Sequence, residues 1–565
     1  MNRLLVLTGV LLMIATAHAG ETLYNGIVLP DQWPPKQPTL TLQPLPPPPY
    51  LVSPPAVIPI DVGRQLFVDD FLVESTTLTR THHVTTWHPA TPVISPDKPW
   101  EQDTGKGECE IYSDGVWWDP QAGHFKAWYR THHGAHSHFQ TCMAISQDGV
   151  KWEKPAFDVV PGTNAVLVDD EGAFRDSSTV WLDLFDQDPA RRFKIFRVMV
   201  KEWMEGDVRK ANKWMQLHFS RDGIHWTLAG ESDRCGDRST VSYNPFRGKW
   251  VYGLRSGTAE AGRTRDYFEH SEVVPGLRWE PEGRNLFTPW VAADTLDPQR
   301  HDLNLEDPVK PWDVPPVQLY NLDCVAYESL TLGLFTIWRG QPRDRGKPNE
   351  LCVGTSRDGF HWSRPDRRAF IPVSEHQGDW NWCNVQSAGG CCVIVGDQLY
   401  FYCKGSEGLP GTKATGRAHV GLAVLRRDGF TSMDAGAEAG TLTTRPVTFK
   451  GKHLFVNVKC PEGELRAEVL GPDGKPIKPF TREKCRPLQL DSTKQRVEWQ
   501  GGDLAKLAGT PVRFRFHLRQ GELYAFWVSP SDGGASHGYV AAGGPGFTGP
   551  ADTVGQAAYE AAAGL

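Results

Sequence analysis

Apolar and polar residues alternate in short runs along most of this chain, and the runs end at Asp-Gly, Gly and Pro turns rather than at helix caps. A period of two bounded by turn residues predicts strands joined by hairpins. The runs also repeat. Tyr112-Ser-Asp-Gly-Val-Trp-Trp-Asp119-Pro120 is echoed by Asp176-Ser-Ser-Thr-Val-Trp-Leu-Asp183 and by Asp237-Arg-Ser-Thr-Val-Ser-Tyr-Asn244-Pro245. Looser copies stand at Asp323–Ser329 and Asn381–Ser387. After each copy come a turn, an aromatic-rich second strand and a third strand. The third strand ends in Ser-x-Asp-Gly-x-x-Trp at Ser146–Trp152, Ser220–Trp226 and Ser356–Trp362, with a degenerate version at Arg427–Phe430. Five such units predict an all-β fold, a five-bladed β-propeller, in which radial repetition limits exposed edges. The blades are expected at 105–155, 172–230, 235–282, 320–366 and 381–436, inside a propeller spanning 61–438.

The pattern changes on either side of the repeats. Residues 1–19 carry an Arg, an apolar run and Ala17-His-Ala19, which predicts a secretory signal peptide and a secreted or periplasmic protein. Residues 20–60 are rich in proline and read as an extended linker. The stretch Asp61–Glu74 reads as the first ordered strand, expected to complete the last blade, with Asp69 and Asp70 capping that junction. Past Gly440 short alternating strands surround Gly471-Pro-Asp-Gly474, which predicts an antiparallel β-sandwich at 439–530. The Gly- and Ala-rich tail, 531–565, has little to pack and is expected to be partly disordered.

Composition narrows the function. A net charge of −7 with no basic run argues against a nucleic-acid binder. No segment after the leader is long enough and apolar enough for a membrane span, and the oligomeric state is not legible. The 11 cysteines are an odd number and include no CxxC, so a cysteine zinc site is not expected; Cys460 and Cys485 are the candidate disulfide. No cofactor is expected.

Candidate chemistry follows from the repeat. The starts of the five inner strands converge with the blade connections at one end of the propeller, so acidic residues at those starts point to a shared pocket. Glu110, Tyr112 and Asp114 share one face of the first inner strand, and Asp176, Asp237, Asp323 and Asn381 take the equivalent repeat positions. Like charges held close separate their pKa values, as acid–base catalysis requires. The catalytic candidates are therefore Asp176, Asp237, Asp323 and Glu110. Arg175 and Arg238, beside two of them, either orient substrate or pair with the acids. His132 and His133 belong to a loop of four imidazoles that could bind substrate or, less simply, a metal. Trp380 and Trp382 either stack on sugar rings or pack in the core. Arg255, Arg263, Arg265, Arg339, Arg343, Arg345, Lys347, Lys413 and Arg417 load the rim with positive charge, which suits a uronate or a sulfate ester. The connection from Trp290 to Leu319 reads as a partial lid. The Ser-x-Asp-Gly-x-x-Trp endings read as structural turns.

These features together resemble the five-bladed propeller glycoside hydrolases. The similarity is greatest to exported bacterial proteins grouped as glycoside hydrolase family 32-like. It rests on Gly63-Arg-Gln-Leu-Phe-Val-Asp-Asp70, Arg175-Asp-Ser-Ser-Thr-Val-Trp181 and Cys235-Gly-Asp-Arg-Ser-Thr240. Two further runs carry it, Arg426-Arg-Asp-Gly-Phe430 and Gly538-Tyr-Val-Ala-Ala-Gly-Gly544. The resemblance implies that Asp176 stabilises a transition state, although Ser177 stands where that family has Pro. The family's nucleophile motif is absent, and Glu108-Cys109 lies on the first blade rather than the third. The expected function is an exported glycosidase acting on a poly- or oligosaccharide substrate through carboxylates at the funnel. A non-catalytic carbohydrate-binding propeller and a glycoside phosphorylase are the alternatives.

Overall fold

The computed structural model describes residues 20–102, 107–133, 138–169, 172–303 and 317–564. The expected signal peptide lies outside the described residues. Five sheets radiate from a common axis. Blade 1 is built from Val116–Asp119, His124–His133, His138–Ser146 and Ala165–Val168, in sequence order from the axis outward. Blade 2 uses Phe174–Leu182, Phe193–Glu205, Val208–Ser220 and Thr227–Arg234. Blade 3 uses Thr240–Asn244, Lys249–Thr258, Gly262–His270 and Thr288–Ala292. Blade 4 runs through Gln318–Glu328, Leu330–Trp338 and Asn349–Ser356. Blade 5 takes Asn384–Gln386, Val393–Val395, Gln398–Ser406 and Ala418–Arg426.

The Asp-Gly turns join neighbouring blades. In blade 1 the Asp148 carboxylate accepts the Val150 and Lys151 amides, both at 2.8 Å, while Gly149 takes φ +74°, a backbone that favours glycine. This leaves the Gly149 carbonyl pointing outward, and it accepts the Tyr402 hydroxyl of blade 5 at 2.7 Å. The Gly223 carbonyl of blade 2 accepts the Trp128 indole of blade 1 at 2.9 Å. The Phe360 carbonyl of blade 4 accepts the Trp290 indole of blade 3 at 2.8 Å. Each of these three turns therefore binds an aromatic donor from the preceding blade, which is a physical reason for the motif to recur.

Ring closure differs from the sequence expectation. Thr86–Trp87, not Asp61–Glu74, adds the outer strand to blade 5, with Trp87 opposite Ala423 and Thr86 opposite Val424. The earlier segment joins the sandwich: Val73–Thr76 pairs with Gly440–Thr444, and Gln65–Leu66 with Gly521–Ser529. Its apolar side chains Phe67, Phe71 and Leu72 match the sandwich core of Val456, Phe514, Phe516 and Phe526. Asp69 does not cap the last blade; its carboxylate is buried against the guanidinium of Arg357, in the blade 4 turn, at 2.8 Å.

Both flanking segments are ordered against the domains. In the Pro-rich stretch Leu23, Ile27, Leu29, Tyr50, Ile58 and Ile60 are buried in the sandwich core, so it is a packed strap rather than a free spacer. The tail crosses the far end of the propeller axis. Tyr539–Val540 pairs with the end of the blade 4 inner strand. Ala542 accepts the Trp118 amide of blade 1 at 3.0 Å and donates to the Cys392 carbonyl of blade 5 at 3.0 Å. Gly543 accepts the Ile394 amide at 2.8 Å. A Cβ on Gly544 would lie 1.8 Å from the Ile394 carbonyl, so glycine alone allows this approach. Low hydrophobicity hid the tail's order because its contacts are made by backbone. Cys460 and Cys485 are both free thiols in the structure.

Propeller, sandwich and tail meet at a buried cluster of charges. Arg64 pairs with Asp428 at 2.8 Å and with Glu328 at 3.4 Å, and all three side chains are fully buried. Arg427 pairs with Glu328 at 3.3 Å, and Ser536 from the tail donates to Glu328 at 2.7 Å. Removing one member of such a network leaves an uncompensated buried charge, which costs about 3–5 kcal/mol. Arg64→Met is therefore expected to lower unfolding stability by roughly that amount in urea denaturation. An unchanged midpoint would show that the junction does not depend on the cluster.

Candidate active site

The five inner strands meet in a polar layer. Ser113 of blade 1 bridges to Thr179 of blade 2. The Thr179 hydroxyl accepts the Val241 amide of blade 3 at 3.4 Å, and the Thr240 hydroxyl donates to the Leu322 carbonyl of blade 4 at 2.7 Å. The Asn321 amide nitrogen lies 3.1 Å from the hydroxyls of Ser113 and Ser387 and 2.9 Å from the Asp323 carboxylate. The Ala388 amide also donates to Asp323, at 2.9 Å. This layer closes the axis and becomes the floor of the funnel.

Three residues before Ser113, Thr179, Thr240 and Asp323 come Glu110, Asp176, Asp237 and Tyr320. These four form the next layer toward the open end. Backbone irregularities set their aim. Asp176 is the extra residue of a bulge between Arg175 and Ser177, and Tyr320 is the extra residue between Leu319 and Asn321. A bulge bends the strand and turns a side chain out of the alternating pattern. Tyr112 and Arg238 sit at φ 34° and 57°, conformations that non-glycine residues hold only when their surroundings enforce them. The inner strands of four blades thus each carry one departure from regular β geometry near the same depth.

The side chains so aimed form one network. The Arg238 guanidinium lies 3.8 Å from the centre of the Tyr112 ring and 3.5 Å from the Asp176 carboxylate. Asp237 is held by Lys213 at 2.6 Å and Arg255 at 3.4 Å. Glu110 is gripped by Arg130 and by Lys404, the latter at 2.8 Å. Arg263 and Lys347 each lie 5.5 Å from the Tyr320 ring centre. Among the described residues, the cations named here outnumber the carboxylates, although the whole chain is acidic.

Charge and burial sort the acids. Burial alone would raise Glu110, but Arg130 and Lys404 outweigh it and hold the carboxyl far below the usual range. Burial likewise opposes the ionisation of Asp237, and Arg255 and Lys213 overcome it, bringing its pKa to about 2. Burial dominates at Asp323, which is raised, and at Asp114, pushed up to about 6 against the pull of Arg175. The Asp176 and Asp237 side chains are 25 % and 32 % exposed, so both are open to a ligand.

Several sequence candidates take other places. Asp323 is only 4 % exposed and belongs to the floor, because the blade 4 repeat aligns three residues out of step with the others. Asn381 is buried as well, its side-chain amide directed to the Pro372 carbonyl at 3.4 Å. Arg175 is fully buried, its guanidinium bound to Asp114 and, at 2.6 Å, to the Thr141 hydroxyl, so it braces blades 1 and 2 and does not face the funnel. Trp382 is buried with the Arg345 guanidinium 5.4 Å from its ring. Trp380 lies on the sheet over Gly405 and Gly421 and edge-on to Trp87 at 5.0 Å, a packing position. The His132 and His133 side chains, with the rest of the imidazole loop, lie outside the described residues. Of the expected basic rim, Arg255, Arg263 and Lys347 line the funnel. Arg339 and Arg345 are buried against Glu350 and Glu375, at 2.7 and 2.6 Å. In the expected lid, Asp294 is bound to Arg367 at 3.0 Å and Asp302 to Arg300 at 2.8 Å, while residues 304–316 lie outside the described residues. Sequence reasoning missed Tyr320, Lys404, Lys213 and Arg130; counting back three residues from Ser113, Thr179, Thr240 and Asp323 would have found the first.

No family model and no curated protein matches this chain. Among solved structures it overlaps with a family 32 β-fructofuranosidase of Bombyx mori at 9 % identity and TM-score 0.36, covering 79 % of this chain and 93 % of that one. It overlaps with a β-1,2-mannobiose phosphorylase from Listeria innocua at 11 % identity and TM-score 0.39, covering 60 % and 96 %. An exo-β-1,3-galactanase from Phanerochaete chrysosporium gives 10 % identity and TM-score 0.34, covering 77 % and 99 %. These neighbours are enzymes of carbohydrates. Overlaps of that size decide nothing about activity, which must be read from the funnel itself.

The floor assignment of Asp323 can be tested directly. Asp323→Leu leaves Asn321 and the Ala388 amide without their acceptor and is expected to cost about 1–3 kcal/mol in chemical denaturation. Asp323→Asn, which keeps an acceptor oxygen, is expected to retain ligand binding at the wild-type level. Loss of binding in a folded Asp323→Asn protein would return Asp323 to the site.

Proposed function

We propose that the protein is an exported glycosidase that cleaves an anionic saccharide at the open end of the propeller. The observation that carries this reading is that Asp176 and Asp237 stand at the same step of consecutive blades, both partly exposed, with Arg238 paired to Asp176 and also acting on Asp237. Cleavage of a glycosidic bond needs acidic groups on both sides of the scissile carbon. Asp237, kept ionised by Lys213 and Arg255, suits the base or nucleophile. Asp176, paired with Arg238, suits stabilisation of positive charge developing on the sugar. The excess of Arg and Lys supports a uronate or sulfate ester as substrate, because guanidinium groups bind such oxyanions through paired hydrogen bonds. Export is supported by the leader sequence.

Asp176→Asn and Asp237→Asn are each expected to reduce release of reducing ends from charged polysaccharides by at least about a hundredfold, with circular dichroism and unfolding unchanged. Near-normal turnover in both would remove the assignment, and saccharide binding without turnover by the wild type would instead indicate a binding propeller.

The charge environment gives a second test. A carboxylate with a depressed pKa stays ionised until pH falls through that value, so Asp237 as the base or nucleophile places the wild-type acid limb near pH 2. Lys213→Met removes one of the two cations holding it, so the acid limb of the kcat/KM profile is expected to move to higher pH. A limb that stays in place would exclude Asp237 as the group that must be ionised.

A further inference from the structure

The funnel presents its carboxylates already tied to cations. Glu110 is held between Arg130 and Lys404, and Asp237 between Lys213 and Arg255. The two carboxyls that burial raises, Asp114 and Asp323, are sealed beneath the floor. Hydrolysis still requires a group that can give a proton to the departing oxygen. Another titratable side chain, carried by the fourth blade, stands in the same layer as Glu110, Asp176 and Asp237.

That residue is Tyr320. It is the inserted residue of the blade 4 bulge, and its main chain is anchored by the Arg265 guanidinium, which donates to the Tyr320 carbonyl at 2.7 Å. Its ring is flanked by Arg263 and Lys347, both 5.5 Å from the centre, and both cations also lie over Trp338, at 5.2 and 5.5 Å. Arg238 and Asp176 complete the charged groups that act on it. Among the described residues its hydroxyl makes no hydrogen bond, which leaves it free for a ligand. We propose that Tyr320 is a catalytic residue that protonates the departing glycosidic oxygen.

The step balances. The bond from the anomeric carbon to the glycosidic oxygen breaks with its electron pair going to oxygen, which takes the Tyr320 phenolic proton. A water molecule bonds to the carbon and gives its proton to the Asp237 carboxylate. That proton then returns through solvent to the phenolate, so the net reaction adds one water. Three cations near the ring favour the phenolate left behind. They also account for the direction of its acidity: burial raises the phenol, but Lys347, Arg238 and Arg263 outweigh burial and the opposing charge of Asp176, and bring it below the ordinary tyrosine value.

This inference rests on the glycosidase reading, and the test separates the two. The probes are oligouronates and the matching 4-nitrophenyl uronides, assayed with wild type, Tyr320→Phe and Lys347→Met. Nitrophenolate needs no proton to leave, so Tyr320→Phe is expected to lose at least about a hundredfold on the oligouronates and only a few-fold on the nitrophenyl uronides. The basic limb of the oligouronate profile should disappear in Tyr320→Phe. It should move to higher pH in Lys347→Met, which keeps the phenol but removes a stabilising cation. Equal losses on both substrates, no loss on either, or an unmoved limb in Lys347→Met would overturn the role of Tyr320 and leave the glycosidase reading standing. A wild type that cleaves neither class would overturn both.

Discussion

Five inner strands cannot approach one axis without taking polar groups out of water, and the layer around Asn321 and Asp323 resolves that constraint. Buried polar groups persist only when partnered, and here the partners come from different blades. Ser113, Thr179, Thr240, Asp323 and Ser387 together form a cross-blade floor. Its position fixes the depth of everything else. On the open side, one turn of side chains away, stand Glu110, Asp176, Asp237 and Tyr320. On the other side Trp117, Trp181 and Tyr243 line a cavity, and the tail segment Tyr539–Gly543 forms part of its wall. The funnel is open at one end because the chain has closed the other.

The same division separates motifs that build the domain junction from motifs that line the funnel. Gly63–Asp70, Arg426–Phe430 and Gly538–Gly544 are three of the five runs that carry the family resemblance, and they meet at the propeller–sandwich junction. Arg64, Arg427 and Asp428 form its buried ion cluster with Glu328, and Gly538 packs against Gly63 and Glu328. Charges buried this deeply stabilise only as a complete set, so each run constrains the others although they lie hundreds of residues apart. Arg175–Trp181 and Cys235–Thr240 are different. They shape the funnel, placing Asp176 on a bulge and Arg238 at positive φ. A motif's recurrence across a group of proteins does not by itself tell these two roles apart; burial does.

Site geometry here comes from broken regularity. A uniform inner strand would point alternate residues into and out of the sheet face, and neither set would converge on a ligand. Two bulges and two residues at positive φ redirect Asp176, Tyr320, Tyr112 and Arg238 toward one another. The strain is held by dense charge pairing, notably the Arg238 guanidinium between Tyr112 and Asp176.

Blade number, blade order and the positions of Asp176 and Asp237 were legible in the chain itself, because each unit must meet the same neighbours and so carries the same residues at the same step. The Asp-Gly-Trp turns were legible for the same reason. Blade 4 was not in register: its repeat had been matched at Asp323, while the structure aligns Tyr320 with the acids of blades 1 to 3. The offset is three residues and the bulge at Tyr320 inserts one, so the alignment is set by the cross-blade hydrogen bonds of Asn321 in the floor, which local pattern does not show. The packing of the Pro-rich strap and of the Gly-rich tail was also hidden, since both are held by backbone contacts and by scattered apolar anchors. Local pattern thus determined which units form and how many. Only the closed ring decided which side chains face the axis, because that depends on strand offsets set by partners far away in the chain.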